Sequence, residues 1–86
     1  MHNFDNNFIN ARDFVQCVSD GCEVEFIYGG LTYSVTPSNS KIVVCEADNE
    51  DSIIEFANPV DSLNYPIGKK RLGDIFNDMK IIFRTF

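Results

Sequence analysis

The stretch Val24-Glu25-Phe26-Ile27-Tyr28-Gly29-Gly30-Leu31-Thr32-Tyr33-Ser34-Val35 decides how this chain folds, because its apolar residues recur every second position on both sides of a glycine pair. A two-residue turn at Gly29-Gly30 pairs Tyr28 with Leu31, Phe26 with Tyr33 and Val24 with Val35. All six apolar side chains then share one face, and a slip of one residue would expose the whole set. Downstream, Pro37-Ser38-Asn39-Ser40 reads as a turn. After it, Ile42 to Ala47 and Ser52 to Phe56 read as a second hairpin around the acidic loop Asp48-Asn49-Glu50-Asp51. Pairing across that loop places Val43 and Cys45 beside Ile54 and Phe56, with Ile42, Val44, Glu46, Ile53 and Glu55 on the opposite face. A helix from Asp51 or Ser52 competes for 52–57, but Asn58-Pro59 would stop it within two turns, so the strand is preferred.

Upstream, Asn10 precedes Ala11-Arg12-Asp13 in the manner of a capping box with Asp at the third helical position. Ala11, Phe14, Val15, Val18 and Cys22 follow at helical spacing, so a helix is expected over roughly 11–19. Asp20-Gly21 ends it, since glycine takes the left-handed conformation without a Cβ penalty. Residues 1–9 read as an Asn-rich tail that no pattern anchors. Asn58-Pro59 opens a short helix through Val60, Leu63 and Tyr65, closed by Pro66 and Gly68. Leu72, Ile75, Phe76, Met79, Ile82 and Phe83 then recur at spacings of three and four, which predicts a last helix from about 71 to 80 or beyond. The run Ile81-Ile82-Phe83 is also compatible with a final strand. The expected fold is one α+β domain over 1–86: an N-terminal helix, an antiparallel meander of three to four strands, and one or two C-terminal helices packed on the sheet.

Eighty-six residues leave room for one core, and the 44% apolar and 13% aromatic content is enough to order it. No apolar run exceeds four residues, whereas a membrane-spanning helix needs roughly 20, and no secretory leader pattern opens the chain. A cytoplasmic protein without membrane contact is expected. Three cysteines (Cys17, Cys22, Cys45) and one histidine, His2, give neither a disulfide framework nor zinc-ligand spacing, so the thiols read as small reduced hydrophobes and no metal or cofactor is expected. Asp48, Glu50 and Asp51 lack the glycine and the closing glutamate of a twelve-residue calcium loop. With no internal histidine to complete a nucleophilic set, an enzyme is not expected.

Thirteen acids against seven bases give a net charge of −6, unevenly spread. Residues 13–68 hold ten acids and one base, Lys41, whereas residues 69–86 hold five bases and two acids. An acidic sheet half disfavours direct nucleic-acid binding, which requires Lys and Arg opposite the phosphates. It suits a protein partner with a basic, nucleic-acid-binding surface. The candidate contact residues are Glu23, Glu25, Asn39, Glu46, Asp48, Glu50, Asp51 and Glu55, with Glu23, Glu25, Glu46 and Glu55 expected on one solvent face among Ile27, Ile42, Val44 and Ile53. Self-association through those aliphatics is the alternative, and the acids then only keep the protein soluble. Lys69-Lys70-Arg71 reads as a solvated basic loop.

Two stretches, Ile42-Val43-Val44-Cys45-Glu46-Ala47-Asp48-Asn49-Glu50-Asp51-Ser52-Ile53-Ile54-Glu55-Phe56 and Phe76-Asn77-Asp78-Met79, resemble small acidic anti-CRISPR proteins that inhibit Cas9. That resemblance implies a helix, a three-stranded meander and two helices, and a mimic of duplex DNA that occupies the site reading the protospacer-adjacent motif. By position, the Asn39-Ser40 turn corresponds to the inhibitor's contact loop. The chain departs from the family at Lys69-Lys70-Arg71, where those inhibitors carry carboxylates before the last helix, so mimicry here would fall to the sheet. The stretches Tyr28 to Val35 and Ile67 to Ile75 are also similar to small bacterial and prophage proteins, a likeness that implies no function.

Overall fold

A computed structural model describes residues 10–84; the expected tail over 1–9 lies outside the described residues. The first hairpin forms as its pattern dictates: β1 (Val24–Tyr28) pairs with β2 (Leu31–Ser38) in the register Val24↔Val35, Phe26↔Tyr33, Tyr28↔Leu31. Gly29 and Gly30 both have positive φ, 61° and 81°, the two left-handed positions that a tight hairpin turn matching the strand twist requires. The next turn is shorter than expected. Pro37 and Ser38 stay in β2, and Asn39 (φ 52°) with Ser40 (φ 67°) makes the reversal into β3 (Lys41–Glu46).

The third pairing corrects the sequence reading by one residue. β4 (Ile54–Phe56) sets Ile42 opposite Phe56, Val43 opposite Glu55 and Val44 opposite Ile54. β3 pairs with β2 through Val35↔Val44 and Pro37↔Ile42, so Ile42 and Val44 share the core face with Val35 and are buried, while Val43 and Cys45 face outward. The one-residue shift of β4 comes from the loop, which closes through a 3-10 turn at Glu50–Ser52. The Ser52 hydroxyl accepts from the Glu46 amide at 2.8 Å and donates to the Asn49 carbonyl at 2.6 Å, and the Asn49 side chain accepts from the Asp51 amide. Ser52 is thus spent on the turn, Ile53 is left out of the ladder, and Ile54 and Phe56 pair one residue along β3.

α1 (Ala11–Ser19) begins where expected, with the Asn10 side chain accepting from the Asp13 amide at 3.0 Å. α2 (Pro59–Ser62) starts on Asn58, whose side chain accepts from the Asp61 amide at 2.8 Å, but it is a single turn that ends before Tyr65. The expected last helix does not form. A small hairpin of β5 (Pro66–Ile67) and β6 (Lys70–Arg71) leads into a 3-10 turn at Leu72–Asp74, and the chain then enters β7 (Lys80–Arg84), which pairs antiparallel with β1. Leu72 and Gly73 donate their amides across to the carbonyls of Tyr65 (2.8 Å) and Leu63 (2.9 Å), which ties this segment to the chain after α2. Of the predicted stripe, Leu72, Ile75, Phe76 and Met79 are buried, whereas Ile82 and Phe83 are exposed on β7.

The result is α+β, with a five-stranded antiparallel sheet in the order β4-β3-β2-β1-β7, one strand more than the largest meander expected. One core joins Phe14, Cys17 and Val18 of α1 to Val24, Phe26, Tyr33, Val35, Ile42, Val44 and Ile81 of the sheet and to the residues of segment 65–79. Phe14 packs on Phe76 with ring centroids 5.3 Å apart, and Phe26 stacks on Tyr33 at 5.2 Å. Helices and segment 63–79 thus cover one face of the sheet, called inner below. Among the described residues no helix is long and apolar enough to cross a membrane.

Candidate functional site

Strand alternation sorts the eight sequence-derived candidates into three places. Glu25 lies on the outer face between Ser34 of β2 and Phe83 of β7, and Glu23 lies exposed just before β1. Glu55 is on the same face but on β4, three strand spacings away from β1, or about 14 Å. Its carboxylate is met by Lys41 Nζ at 3.5 Å. Glu46 is opposite Tyr33 and has the inner-face parity, at the end of the sheet. The four glutamates therefore do not share a face: pairing opposite Tyr33 gives Glu46 the inner parity of Ile42 and Val44, whereas Glu55 lies opposite outward Val43. Asn39 caps the opposite end of the sheet, in the β2–β3 turn.

What the fold does bring together is the β3–β4 corner. Glu46, Asp48 and Glu50 line a shallow concavity of about 450 Å³ with Cys45, Ala47, Asn49 and Ile53, and Asp51 stands exposed in the same turn. Four carboxylates within six residues are held by the Ser52 and Asn49 hydrogen bonds, by Ala47 donating to the Thr32 carbonyl at 2.8 Å, and by the Tyr65 hydroxyl donating to the Ser52 carbonyl at 2.9 Å. Asp48 takes a left-handed φ of 62° to make the bend, a conformation Asp tolerates. None of the four carboxylates is ion-paired among the described residues. Exposed Ile53, 50% accessible, adds an aliphatic contact beside them.

Behind the corner, Tyr33 and Tyr65 meet edge to face at 6.4 Å. Burial raises the pKa of both hydroxyls above the usual tyrosine value, and the nearby Glu46 carboxylate pushes Tyr33 further in the same direction. Both therefore stay neutral near pH 7, as hydrogen-bonding and packing groups behind the carboxylates.

The remaining candidates separate cleanly. Lys69, Lys70 and Arg71 are exposed, and Arg71 is engaged locally by Asp74 (3.5 Å) and by the Asn64 side chain (3.2 Å). Cys17 and Cys22 are buried in the core, whereas Cys45 is half-buried on the outer face with its sulfur 3.2 Å from the Ser34 hydroxyl. Among the described residues no group of three or more His, Cys, Asp or Glu side chains could hold a metal ion.

The sequence pattern placed Glu25, Ile27 and Glu55 on the outer face but assigned the wrong residues of β3 to it. That face carries half-buried Ile27, Val43 and Cys45 together with Phe83, 44% accessible, rather than Ile42 and Val44. The signal that could have found it is the β2–β3 pairing around Asn39-Ser40, which sets Val44 opposite inward Val35; Ser52, which closes the next turn, bears only on the register of β4. No protein-family model, curated protein or solved structure matches the chain.

Proposed function

We propose that the chain is a non-enzymatic acidic binding protein that docks its β3–β4 corner on a basic, nucleic-acid-binding surface of a bacterial protein and blocks it, as an anti-CRISPR-like DNA mimic does. The observation that carries this reading is the set of four carboxylates, Glu46, Asp48, Glu50 and Asp51, fixed by backbone hydrogen bonds and left without bases. Preorganised like charges are costly to gather, and that cost is offset when a basic surface meets them. The outer face is a weaker acidic surface, since Glu23 and Glu25 are separated from Glu55 and Lys41 and Lys80 lie among them. The chain acts in the cytoplasm in this reading, where such partners meet DNA.

The test is competition with duplex DNA for guide-loaded Cas9, read by anisotropy of labelled DNA over a salt series. The reading requires inhibition that weakens steeply with ionic strength and is lost when Glu46, Asp48, Glu50 and Asp51 become Gln or Asn, while the Glu23/Glu25/Glu55→Gln variant still competes. Equal competition by both variants would remove the corner as the contact. No competition at any salt would remove this partner.

A second reading, a homodimer through the outer face, is favoured by the exposed Phe83 beside half-buried Ile27, Val43 and Cys45. Light scattering separates the two, because an apolar dimer persists or tightens at high salt whereas contacts through carboxylates weaken.

A further inference from the structure

The C-terminal end of α1 joins two buried cysteines through a backbone hydrogen bond. The Cys22 amide donates to the Cys17 carbonyl at 3.1 Å and the Gly21 amide to the Val18 carbonyl at 3.0 Å, with Gly21 at φ 94°. These are the paired six-to-one and five-to-two bonds of a Schellman cap. In that cap the side chains of the residues joined by the longer bond pack against each other. Here those residues are Cys17 and Cys22, joined by that backbone bond. Both are buried, 6% and 4% accessible, and held within one rigid turn of the core. Cys45 is remote in this respect, since its sulfur faces Ser34 on the other side of the sheet.

We propose that Cys17 and Cys22 form a reversible dithiol–disulfide pair that staples the C-terminal cap of α1 when the chain meets a small-molecule disulfide such as oxidised glutathione. One cysteine sulfur, after losing its proton, attacks a sulfur of glutathione disulfide; a mixed disulfide forms and one glutathione leaves as thiolate and takes up a proton. The other cysteine sulfur then displaces the second glutathione. Two S–H bonds break, one S–S bond forms in the protein, and one glutathione disulfide is reduced to two glutathiones. The cap supplies proximity, since its backbone bonds hold Cys17 and Cys22 in one turn. Burial, and next the Cys17 thiol, push the Cys22 thiol up to about 11, so thiolate is scarce near neutral pH. Oxidation therefore runs slowly, through brief openings of the helix end.

The experiment equilibrates the full chain with reduced and oxidised glutathione near neutral pH, quenches with acid, alkylates, and maps the peptides by mass. A monomer lighter by two hydrogens, with Cys17 and Cys22 protected and Cys45 alkylated or carrying a glutathione, is the expected product. Its formation constant in native buffer should exceed that in concentrated urea by about tenfold or more, because only the folded cap holds the sulfurs together. The oxidised chain should also melt at a higher temperature than the reduced one. Full alkylation of Cys17 and Cys22 at equilibrium in an oxidising buffer, or separate glutathione adducts on each, overturns the pair. Equal formation constants in buffer and urea, or a lower melting temperature after the bond forms, overturns the claim that the cap is built for it. None of these readings depends on the acidic corner.

Discussion

The β1–β2 hairpin and segment 63–79 line the same core, yet they were legible to very different degrees. In the hairpin, each buried residue is fixed by a neighbour across a two-residue turn, so period and turn chemistry suffice. In segment 63–79, Leu72, Ile75, Phe76 and Met79 are as buried as a helical stripe would be, but the backbone reaches that burial through turns whose amides bond to Tyr65 and Leu63. Burial periodicity reports which side chains go in. It does not report which carbonyl an amide will find.

The hardest test of that contrast is a pair of core truncations. Phe26→Ala should cost about 3–5 kcal/mol, and Leu72→Ala, in the irregular segment, about 2–5 kcal/mol, by urea denaturation. A cost below about 1 kcal/mol for Leu72→Ala would make segment 63–79 a loose cover rather than core. Alkaline pH sharpens the same comparison. Cys22, at the α1 cap, rises from 9.0 to about 11 on folding, and Tyr33 and Tyr65, one from each region, are also raised. The unfolded chain loses these protons first, so stability is fully present below pH 9 and falls as pH rises toward 11. The melting temperature should therefore be lower at pH 10.5 than at pH 8. Cys22→Ala should remove the part of the slope that begins nearest pH 9.

Gly73→Ala decides between turn and helix by its sign. An added Cβ would lie 3.3 Å from Leu63 Cβ and 3.4 Å from the Leu63 carbonyl oxygen, so a loss of about 1 kcal/mol is expected; a helix over 71–80 would instead gain about 1 kcal/mol. Ser52→Ala removes the hydroxyl that serves both the Glu46 amide and the Asn49 carbonyl. It should cost about 1 kcal/mol and speed hydrogen exchange in β4, whereas unchanged protection would show that the register is set elsewhere. The smallest effect belongs to Glu55→Gln, below about 0.5 kcal/mol, because its 3.5 Å contact with Lys41 is solvent-exposed on both sides.

Much of the candidate site shared the fate of its local structure. The acidic loop was visible as Asp48, Asn49, Glu50 and Asp51, and the structure keeps three of those carboxylates with Glu46 at one corner. The acidic sheet face was not there to be found, since it rested on a pairing in which Ser52 entered the ladder. Once Ser52 closes the turn, Glu46 and Glu55 part company.

By itself the sequence determined the caps at Asn10, Gly21 and Asn58, the β1–β2 register, the inward stripe of residues 72–79 and the charge of the β3–β4 loop. Each of these depends on residues within a few positions of one another, where propensity, turn conformation and side-chain period act directly. Tertiary structure alone decided the register of β4, the replacement of the last helix by turns, and the return of β7 to pair with β1. Those outcomes depend on hydrogen-bond partners chosen across the fold, at Ser52, Leu63 and Tyr65, and no local pattern encodes which distant group an amide will meet.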